Sequence, residues 1–470
     1  MTTSRLLTAA AVLLLSACVS APPAPLDPAA SAERLAARSL DDPRVTEALA
    51  RAGLPAGAWS LDALTVAAWT LRPEIAAAAA DVAAAAAAER TAGELPNPTV
   101  SLDPAYLYDN VGGALSPWTF AASLGFTLET GGKRGIRRAQ SRAESETRQW
   151  QYAEAAWQVR QDIRKALAAR LVARESLAVA EREMQLRESY SAWVENAFRF
   201  GAVAQADRLT AVTGRAQAQG ALRTARGDLA AADADLAAAV GVTPARFPFA
   251  AVKPLPTDIL PDPGAAEALR TEAVVNRLSV RHALADYAVS ESALRMAVAK
   301  QYPDIGFGPG YVYDKGDRGV TLTLGFTLPL FHGAQAAIDE ALAARTKAAT
   351  QFETAQSLAL AEIETASARY TAAAAALAEA RSAEDAVGKS AAAVDNRLAM
   401  GAADRGEVVT AGLALTAARR ARLDGLRAVL DALGALEDGV QRPFWPASTL
   451  GLPRPDTTVS ASLQNTPRTP

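Results

Sequence analysis

Charged side chains follow two glycines that lie 200 positions apart, and they are the residues best suited to act on a charged solute. Those after Gly201 are Asp207 and Arg208, and those after Gly401 are Asp404, Arg405 and Glu407. Repeated around a symmetry axis, such carboxylates would form rings that favour cations at a constriction. The arginines beside them would hold it shut through ion pairs between helices. The alternative is a solvated helix start, where acidic residues complement the helix dipole.

The rest of the sequence offers no catalytic constellation. The two histidines, His282 and His332, are isolated, and neither has a metal-binding spacing. The glycines form neither a phosphate-binding loop nor a dinucleotide-binding fingerprint. We therefore predict no enzyme activity, no catalytic or metal-ligating residues and no cofactor. A formal charge of −3 without a basic cluster also argues against a nucleic-acid partner.

The first residues are typical of an export signal. Arg5 precedes an apolar stretch of about ten residues, which is too short for a membrane-spanning helix of ~20 residues. Leu15-Ser16-Ala17-Cys18 resembles a bacterial lipobox, so we predict a signal peptide over 1–17, lipidation at Cys18 and a tether with short helices over 18–60. Val19 favours the outer membrane, because an aspartate there would resemble an inner-membrane retention signal. The alternative is an ordinary signal peptide with an incidental cysteine.

The same pattern occurs twice in the chain. Ser123-Leu124-Gly125-Phe126-Thr127-Leu128 recurs as Thr323-Leu324-Gly325-Phe326-Thr327-Leu328, 200 positions later. A repeat of this length indicates a duplicated structural half, because solenoid units have ~20–50 residues. We predict a first repeat over 61–243, a linker over 244–264, a second repeat over 265–440 and a disordered tail over 441–470.

Each repeat contains a predicted β-hairpin, at 99–128 and at 304–330. Large apolar residues alternate there with small or hydroxylated ones, which predicts strands of about ten residues with one apolar face. That length suits a membrane strand, but an open edge is not tolerated in lipid. Four strands cannot close a barrel, whereas twelve strands from three chains can, so we predict a homotrimer. The alternative is a pair of hairpins on a soluble core.

Long helices complete each repeat. One helix is predicted over 62–93, with Pro73 near a local start. Helical hairpins are predicted over 137–240 and 334–439, with their tips at Gly201 and Gly401. Apolar residues recur every seven positions in these hairpins, which indicates a coiled coil. The predicted fold is mostly α with a membrane β-barrel, in duplicated strand-strand-long-helix-helix halves. The trimer would place a 12-stranded outer-membrane barrel on a coiled-coil helical tunnel.

These features together resemble the TolC-like outer-membrane factor family over roughly residues 60–440. The resemblance implies a channel in the outer membrane of a Gram-negative bacterium, with the tunnel in the periplasm. It also implies a periplasmic adaptor protein at the helix tips and an inner-membrane pump of the RND type. The tip residues carried over are Phe200, Gly201, Ala202 and Val203, and Met400, Gly401, Ala402 and Ala403. The second set has alanines where the family has a hydrophobic pair.

A segment after the first hairpin resembles the heavy-metal (cobalt–zinc–cadmium type) branch of this family. It runs from Glu129 to Arg138 and combines a Gly-Gly turn with four basic residues. A glycine turn followed by basic residues is also what a junction between barrel and helix requires. The predicted cargo is divalent heavy-metal cations, with organic compounds and type I secretion as alternatives. A periplasmic coiled-coil adaptor is the alternative of another class.

Overall fold

A computed structural model describes residues 23–108, 116–262, 265–328, 333–443, 445–446, 448 and 450–453. The predicted signal peptide, Cys18 and His332 lie outside these residues. Two short helices come first, α1 (Pro28–Ala36) and α2 (Pro43–Arg51). The first half then contains α3 (Leu61–Leu71), α4 (Pro73–Ala92), β1 (Thr99–Tyr106), β2 (Trp118–Leu128), α5 (Lys133–Arg199) and α6 (Gln205–Val240).

The second half repeats this order. It contains α7 (Ala265–Asn276), α8 (Leu278–Ala299), β3 (Ile305–Asp314), β4 (Asp317–Phe326), α9 (Gln335–Ala399) and α10 (Arg405–Val440). The predicted fold class of duplicated halves, each with two strands, a long helix and a return helix, is confirmed. At 1.5 Å per residue, the 67 residues of α5 make a rod of ~100 Å.

Three predicted boundaries are wrong. The helix predicted over 62–93 is divided at Arg72, whose extended backbone (φ −74°, ψ 128°) is the conformation that a residue before proline prefers. The helix predicted from 137 begins at Lys133, directly after Gly131 and Gly132, which both have positive φ. Strand β4 ends at Phe326, four residues before the predicted end of its hairpin.

Part of the tail that was predicted to be disordered packs against the protein. Trp445 is buried, and its indole nitrogen donates a hydrogen bond to the carbonyl oxygen of Ile259 at 2.8 Å. Ser448 donates to a carboxylate oxygen of Asp62 at 2.7 Å, and Leu450 contacts the core. Composition misses these contacts because each partner lies about 190 or more positions away in the chain. Residues 454–470 lie outside the described part.

The core lies where α3, α5 and α10 meet. Leu64, Ile163 and Leu433 are fully buried there, and the segments around Trp59 and Val252 join it through a parallel bridge. The long helices are also joined by ion pairs, such as Arg422 on α10 with Glu175 on α5 at 2.7 Å. The two halves therefore form one packed unit around α5 and α10.

A buried cluster of charges sits inside this core. Glu437 on α10 is 0% exposed and lies 3.0 Å from Arg164 Nε and 3.4 Å from Arg160 Nη2. Arg164 also donates to the carbonyl oxygen of Leu430 at 3.1 Å. Burial lowers the pKa of Arg164, and the nearby carboxylate of Glu437 opposes that shift. An arginine remains charged at neutral pH, so two buried cations depend on this carboxylate.

His282 is isolated in the sequence but paired in the fold. On α8, its Nδ1 lies 3.3 Å from Glu154 of α5, and its Nε2 lies 3.6 Å from Asp286. The hydrogen bond with Glu154 raises the pKa of His282, which is the direction expected for an imidazole facing two carboxylates. The histidine thus joins the second half of the chain to the long helix of the first.

The four strands form one antiparallel sheet in the order β1-β2-β3-β4. The strands β1 and β4 are its edges, and the two hairpins are joined through β2 and β3. Within the described residues, no helix is long and apolar enough to cross a membrane.

Candidate functional site: sheet, junction and helix tips

The register of the sheet gathers its large apolar side chains on one face. Leu102 pairs with Ala122, Ala122 pairs with Tyr311, and Tyr311 pairs with Val320. Partners across an antiparallel pair share a face, so the alternation predicted for each strand continues across the whole sheet. This face is open to its surroundings in the single chain, with Val320 87% and Leu324 67% exposed. An exposed apolar face of this extent indicates that lipid or another protein covers it.

The opposite face carries small residues. Three glycines of β3 lie there, at 306, 308 and 310, together with hydroxyl residues of the neighbouring strands. A Cβ atom added at Gly310 would come within 2.7 Å of Thr321 Oγ1 and 3.2 Å of Ser123 Cβ. Such crowding across strands is expected on the concave side of a curved sheet, where glycine allows close approach. The small-residue face is therefore suited to the inside of a barrel.

The junction between the sheet and α5 is held by the basic segment of residues 129–138. Lys133 contacts Asp304 at 2.8 Å, and Thr130 Oγ1 donates to the carbonyl oxygen of Pro303 at 2.6 Å. Arg137 pairs with Glu129 at 2.7 and 3.2 Å. The hydrogen bond from Lys133 lowers the pKa of Asp304, and that from Arg137 lowers the pKa of Glu129. These contacts tie the end of β2 to the start of β3.

The same segment also binds the end of α4. Arg134 Nε donates to the carbonyl oxygen of Gly93 at 2.7 Å, and Arg137 Nε donates to that of Ala92 at 3.0 Å. Carbonyl groups in the last turn of a helix lack partners within the helix, and cationic side chains satisfy them. These contacts are those of a sheet-to-helix junction, which is the alternative that the sequence left open for this segment.

The first helix tip ends α5 in a Schellman motif. Gly201 has φ +70°, its N–H donates to the carbonyl oxygen of Phe198, and Ala202 N–H donates to that of Ala197. Phe200 is 88% exposed, which places a large aromatic side chain at the end of the hairpin. Ala202 and Val203 continue the turn into α6. The tip thus presents an apolar residue to any partner that approaches it.

Asp207 and Arg208 have different tasks at this tip. The carboxylate of Asp207 accepts from Ala204 N–H at 3.0 Å and so helps to cap α6. Arg208 pairs with Glu195 of α5 at 2.7 Å, and this hydrogen bond lowers the pKa of Glu195. The pair closes the two arms of one hairpin. The sequence did not indicate Glu195, because its pairing with Arg208 depends on how α5 packs against α6.

The second tip repeats this geometry. Gly401 has φ +73°, Ala402 N–H donates to the carbonyl oxygen of Arg397, and Met400 is 74% exposed. Asp404 caps α10 by accepting from Glu407 N–H at 2.8 Å. Glu407 in turn pairs with Arg397 at 2.9 Å. Ala403 follows the turn.

Within one chain, the second tip is closed by Arg397. The predicted closing residue, Arg405, is exposed at the start of α10, while Arg397 lies on α9, four positions before the glycine. The capping role of Asp207 and Asp404 matches the alternative reading of these residues as an acidic helix start. Among the described residues, no group of three or more histidine, cysteine, aspartate or glutamate side chains is placed to hold a metal ion.

A family model described as outer membrane efflux protein matches residues 64–242 and 269–438, one segment in each half. The chain belongs to this family. The resemblance inferred from the duplicated hairpins and helices is therefore confirmed, and the chain is an outer-membrane efflux protein. No curated protein matches it by sequence.

Solved channels of low sequence identity share the fold of this efflux protein. VceC of Vibrio cholerae is 18% identical, with 82% of this chain and 96% of that chain covered and a TM-score of 0.66. The MtrE channel of Neisseria gonorrhoeae, solved in an open state, is 17% identical, with coverages of 81% and 89% and a TM-score of 0.67. The Campylobacter jejuni CmeC channel is 13% identical, with coverages of 95% and 97% and a TM-score of 0.65.

Proposed function

We propose that three copies of this efflux protein form an exit duct, in which a 12-stranded barrel opens the outer membrane above a helical tunnel. The sheet carries this proposal, because it combines an exposed apolar face with two unpaired edge strands, β1 and β4. Unpaired strand edges cannot persist in lipid, and pairing β1 of one chain with β4 of the next removes them. Three four-stranded sheets then close.

The experiment for the duct is a mass and conductance measurement on the detergent-extracted protein. We expect a mass of three mature chains that survives mild detergent, and stepwise conductance after reconstitution in a planar bilayer. A monomer without conductance would instead support the periplasmic adaptor reading.

The helix tips are the proposed contact with other proteins of the export system. Phe200 and Met400 are exposed at the two tips, and each stands beside a glycine that allows close approach of a partner. A periplasmic adaptor that links the duct to an RND pump fits such a surface, since aromatic and methionine side chains are favoured in interfaces. The second tip has alanines after its glycine, so we propose that the first tip binds more strongly.

The acidic residues of the second tip are the proposed cation ring and gate. We expect Asp404→Asn with Glu407→Gln to raise single-channel conductance or lower cation preference, because the variant removes the charges and frees Arg397 from its ion pair. Asparagine retains the capping oxygen, so the start of α10 is preserved. The matched control is Glu379→Gln, an exposed carboxylate on α9 far from the tip. Unchanged channel behaviour in the tip variant would exclude the gate.

The proposed cargo is divalent heavy-metal cations, with organic compounds next and secreted proteins after them. The support is the likeness of residues 129–138 to the heavy-metal branch and the acidic tips, which would admit cations. Selection can reside in the pump, so the duct needs no metal ligands. We expect a deletion strain to accumulate zinc, cobalt, cadmium or nickel and complementation to reverse this. Unchanged metal levels would indicate that the cargo is organic compounds or proteins instead.

We also propose a lipid anchor at Cys18, on the basis of the sequence. A thioether-linked diacylglycerol at Cys18 would hold each chain in the outer membrane in addition to the barrel. It rests on the lipobox-like Leu15-Ser16-Ala17-Cys18.

A further inference from the structure

The small-residue face of the sheet carries charge of one sign. Its charged side chains within the described strands are Asp103 on β1, Asp314 at the end of β3 and Asp317 at the start of β4. No lysine or arginine of these strands shares that face, since Arg318 falls on the apolar face with its partner Tyr313. The two later aspartates lie at the turn of the second hairpin, whereas Asp103 lies within its strand.

Asp103 faces only small or apolar partners across the sheet. The register places it beside Ala121, which pairs with Val312, which pairs with Gly319. Asp103 is exposed, and within the described residues no ion pair neutralises it. Its neighbours on the same face of β1 are Ser101 and Ala105. The carboxylate therefore projects from a wall that has no other charge at that level.

The position of Asp103 along the strand is also informative. It lies four residues after Thr99, the first residue of β1, which corresponds to ~14 Å at ~3.4 Å per residue. Asp103 is four residues from the Thr99 end of the paired part of β1 and three residues from the Tyr106 end, so it lies near the middle of the strand. A charge at this depth faces a lumen bounded by a low-dielectric wall, which strengthens its field relative to a charge at the mouth.

We propose that Asp103 is a specificity-determining residue that gives the barrel a preference for cations, independently of the helix tips. The inference rests on the proposed trimeric duct, in which threefold symmetry places three Asp103 carboxylates at one height. A negative ring in a pore raises the local cation concentration and repels anions. The Debye length is ~10 Å at 0.1 M salt, so the preference should weaken as salt rises.

The test is the reversal potential of single channels under a tenfold KCl gradient at low salt. We expect the wild-type protein to show a cation-selective potential and Asp103→Asn to reduce the cation-to-anion permeability ratio at least twofold. The matched control is Ser101→Asn, which changes a residue of the same face and strand without changing charge. Adding Ser101→Asp to Asp103→Asn should restore selectivity, because its layer of Ser123, Gly310 and Thr321 is equally small.

The same experiment distinguishes the effect of Asp103 from that of the helix tips. In the Asp404→Asn, Glu407→Gln background, the Asp103→Asn change should still lower the permeability ratio by a similar factor. A ratio unaffected by Asp103→Asn in both backgrounds would overturn the inference while leaving the duct intact. Failure of the wild-type protein to form channels would instead contradict the proposed duct.

Discussion

Replacing Glu437 by glutamine should lower the free energy of unfolding by about 3–5 kcal/mol, the typical cost of breaking a buried ion pair. The substitution keeps the shape of the side chain but leaves Arg160 and Arg164 facing each other without their carboxylate. Asp62 is the next carboxylate, 4.0 Å from Arg160, and it already accepts a hydrogen bond from Ser448. It cannot neutralise both guanidinium groups.

The measurement is the thermal midpoint and folded yield of the purified protein in detergent. The matched control is Glu272→Gln, which removes an exposed pair with Arg442 and should cost about 0–1 kcal/mol. A triple variant, Arg160→Met, Arg164→Met and Glu437→Leu, should recover most of the loss because the three fully buried charges are removed together. If Glu437→Gln has the same thermal midpoint as the wild type, the charge imbalance inferred at this cluster is wrong.

This cluster also shows what the sequence could not reveal. Arg160 and Arg164 lie four positions apart on a helix rich in arginine and glutamate, where such residues normally face solvent. Only the packing of α3 and α10 against α5 buries them, and Glu437 lies more than 270 positions away. A heptad pattern locates apolar seams, but it does not identify which charged residues a distant helix will cover.

The features that were predicted depend on local signals. The tips follow from Gly201 and Gly401, because a left-handed residue ends a helix wherever it is placed. The faces of the sheet follow from strict alternation, since a period of two fixes the side of every residue. Pro73 was predicted to lie near a local start within the helix over 62–93, but the break at Arg72 was not, because the alanine-rich composition after Pro73 favours helix and the restriction before proline acts on one residue.

Long-range partners account for the other failures. Trp445 is tied to the linker through Ile259, so a segment with the composition of a disordered tail becomes part of the fold. At the tips, the prediction named only charged residues that follow each glycine. The ion pairs that close the hairpins also need Glu195 and Arg397, which precede the glycines. In each case the contact joins two separate elements of the fold. Neither residue has a sequence context that would indicate its partner.

Replacing Leu322 and Leu324 together by arginine should abolish insertion into the outer membrane. Both leucines lie on the exposed apolar face of β4, opposite Pro309 and Phe307. An arginine on the lipid side of a barrel costs about 2–4 kcal/mol near the midplane, so six per trimer cost about 12–24 kcal/mol. Among the described strand residues, no carboxylate on this face would offset that cost, because their charged residues other than Arg318 lie on the opposite side.

The matched control uses the adjacent residues of the same strand. Thr321→Arg with Thr323→Arg adds the same charge on the small-residue face, opposite Gly310 and Gly308. In the proposed barrel these side chains would extend into the lumen. We expect this variant to reach the outer membrane and to assemble, as measured by membrane fractionation and by the mass of the detergent-extracted protein. Its pore should shift toward anions, because the added charge is positive.

The two variants place arginines one residue apart along the same strand, and therefore on opposite faces of the sheet. Comparing them shows which face meets lipid and which meets water. Loss of insertion for the threonine pair alone would mean that the small-residue face meets lipid. Equal insertion of both would mean that neither face does, as for hairpins packed on a soluble core. Loss confined to the leucine pair requires a water-filled side and a lipid side on one four-stranded sheet. Only a closed barrel satisfies that requirement together with the unpaired edges of β1 and β4.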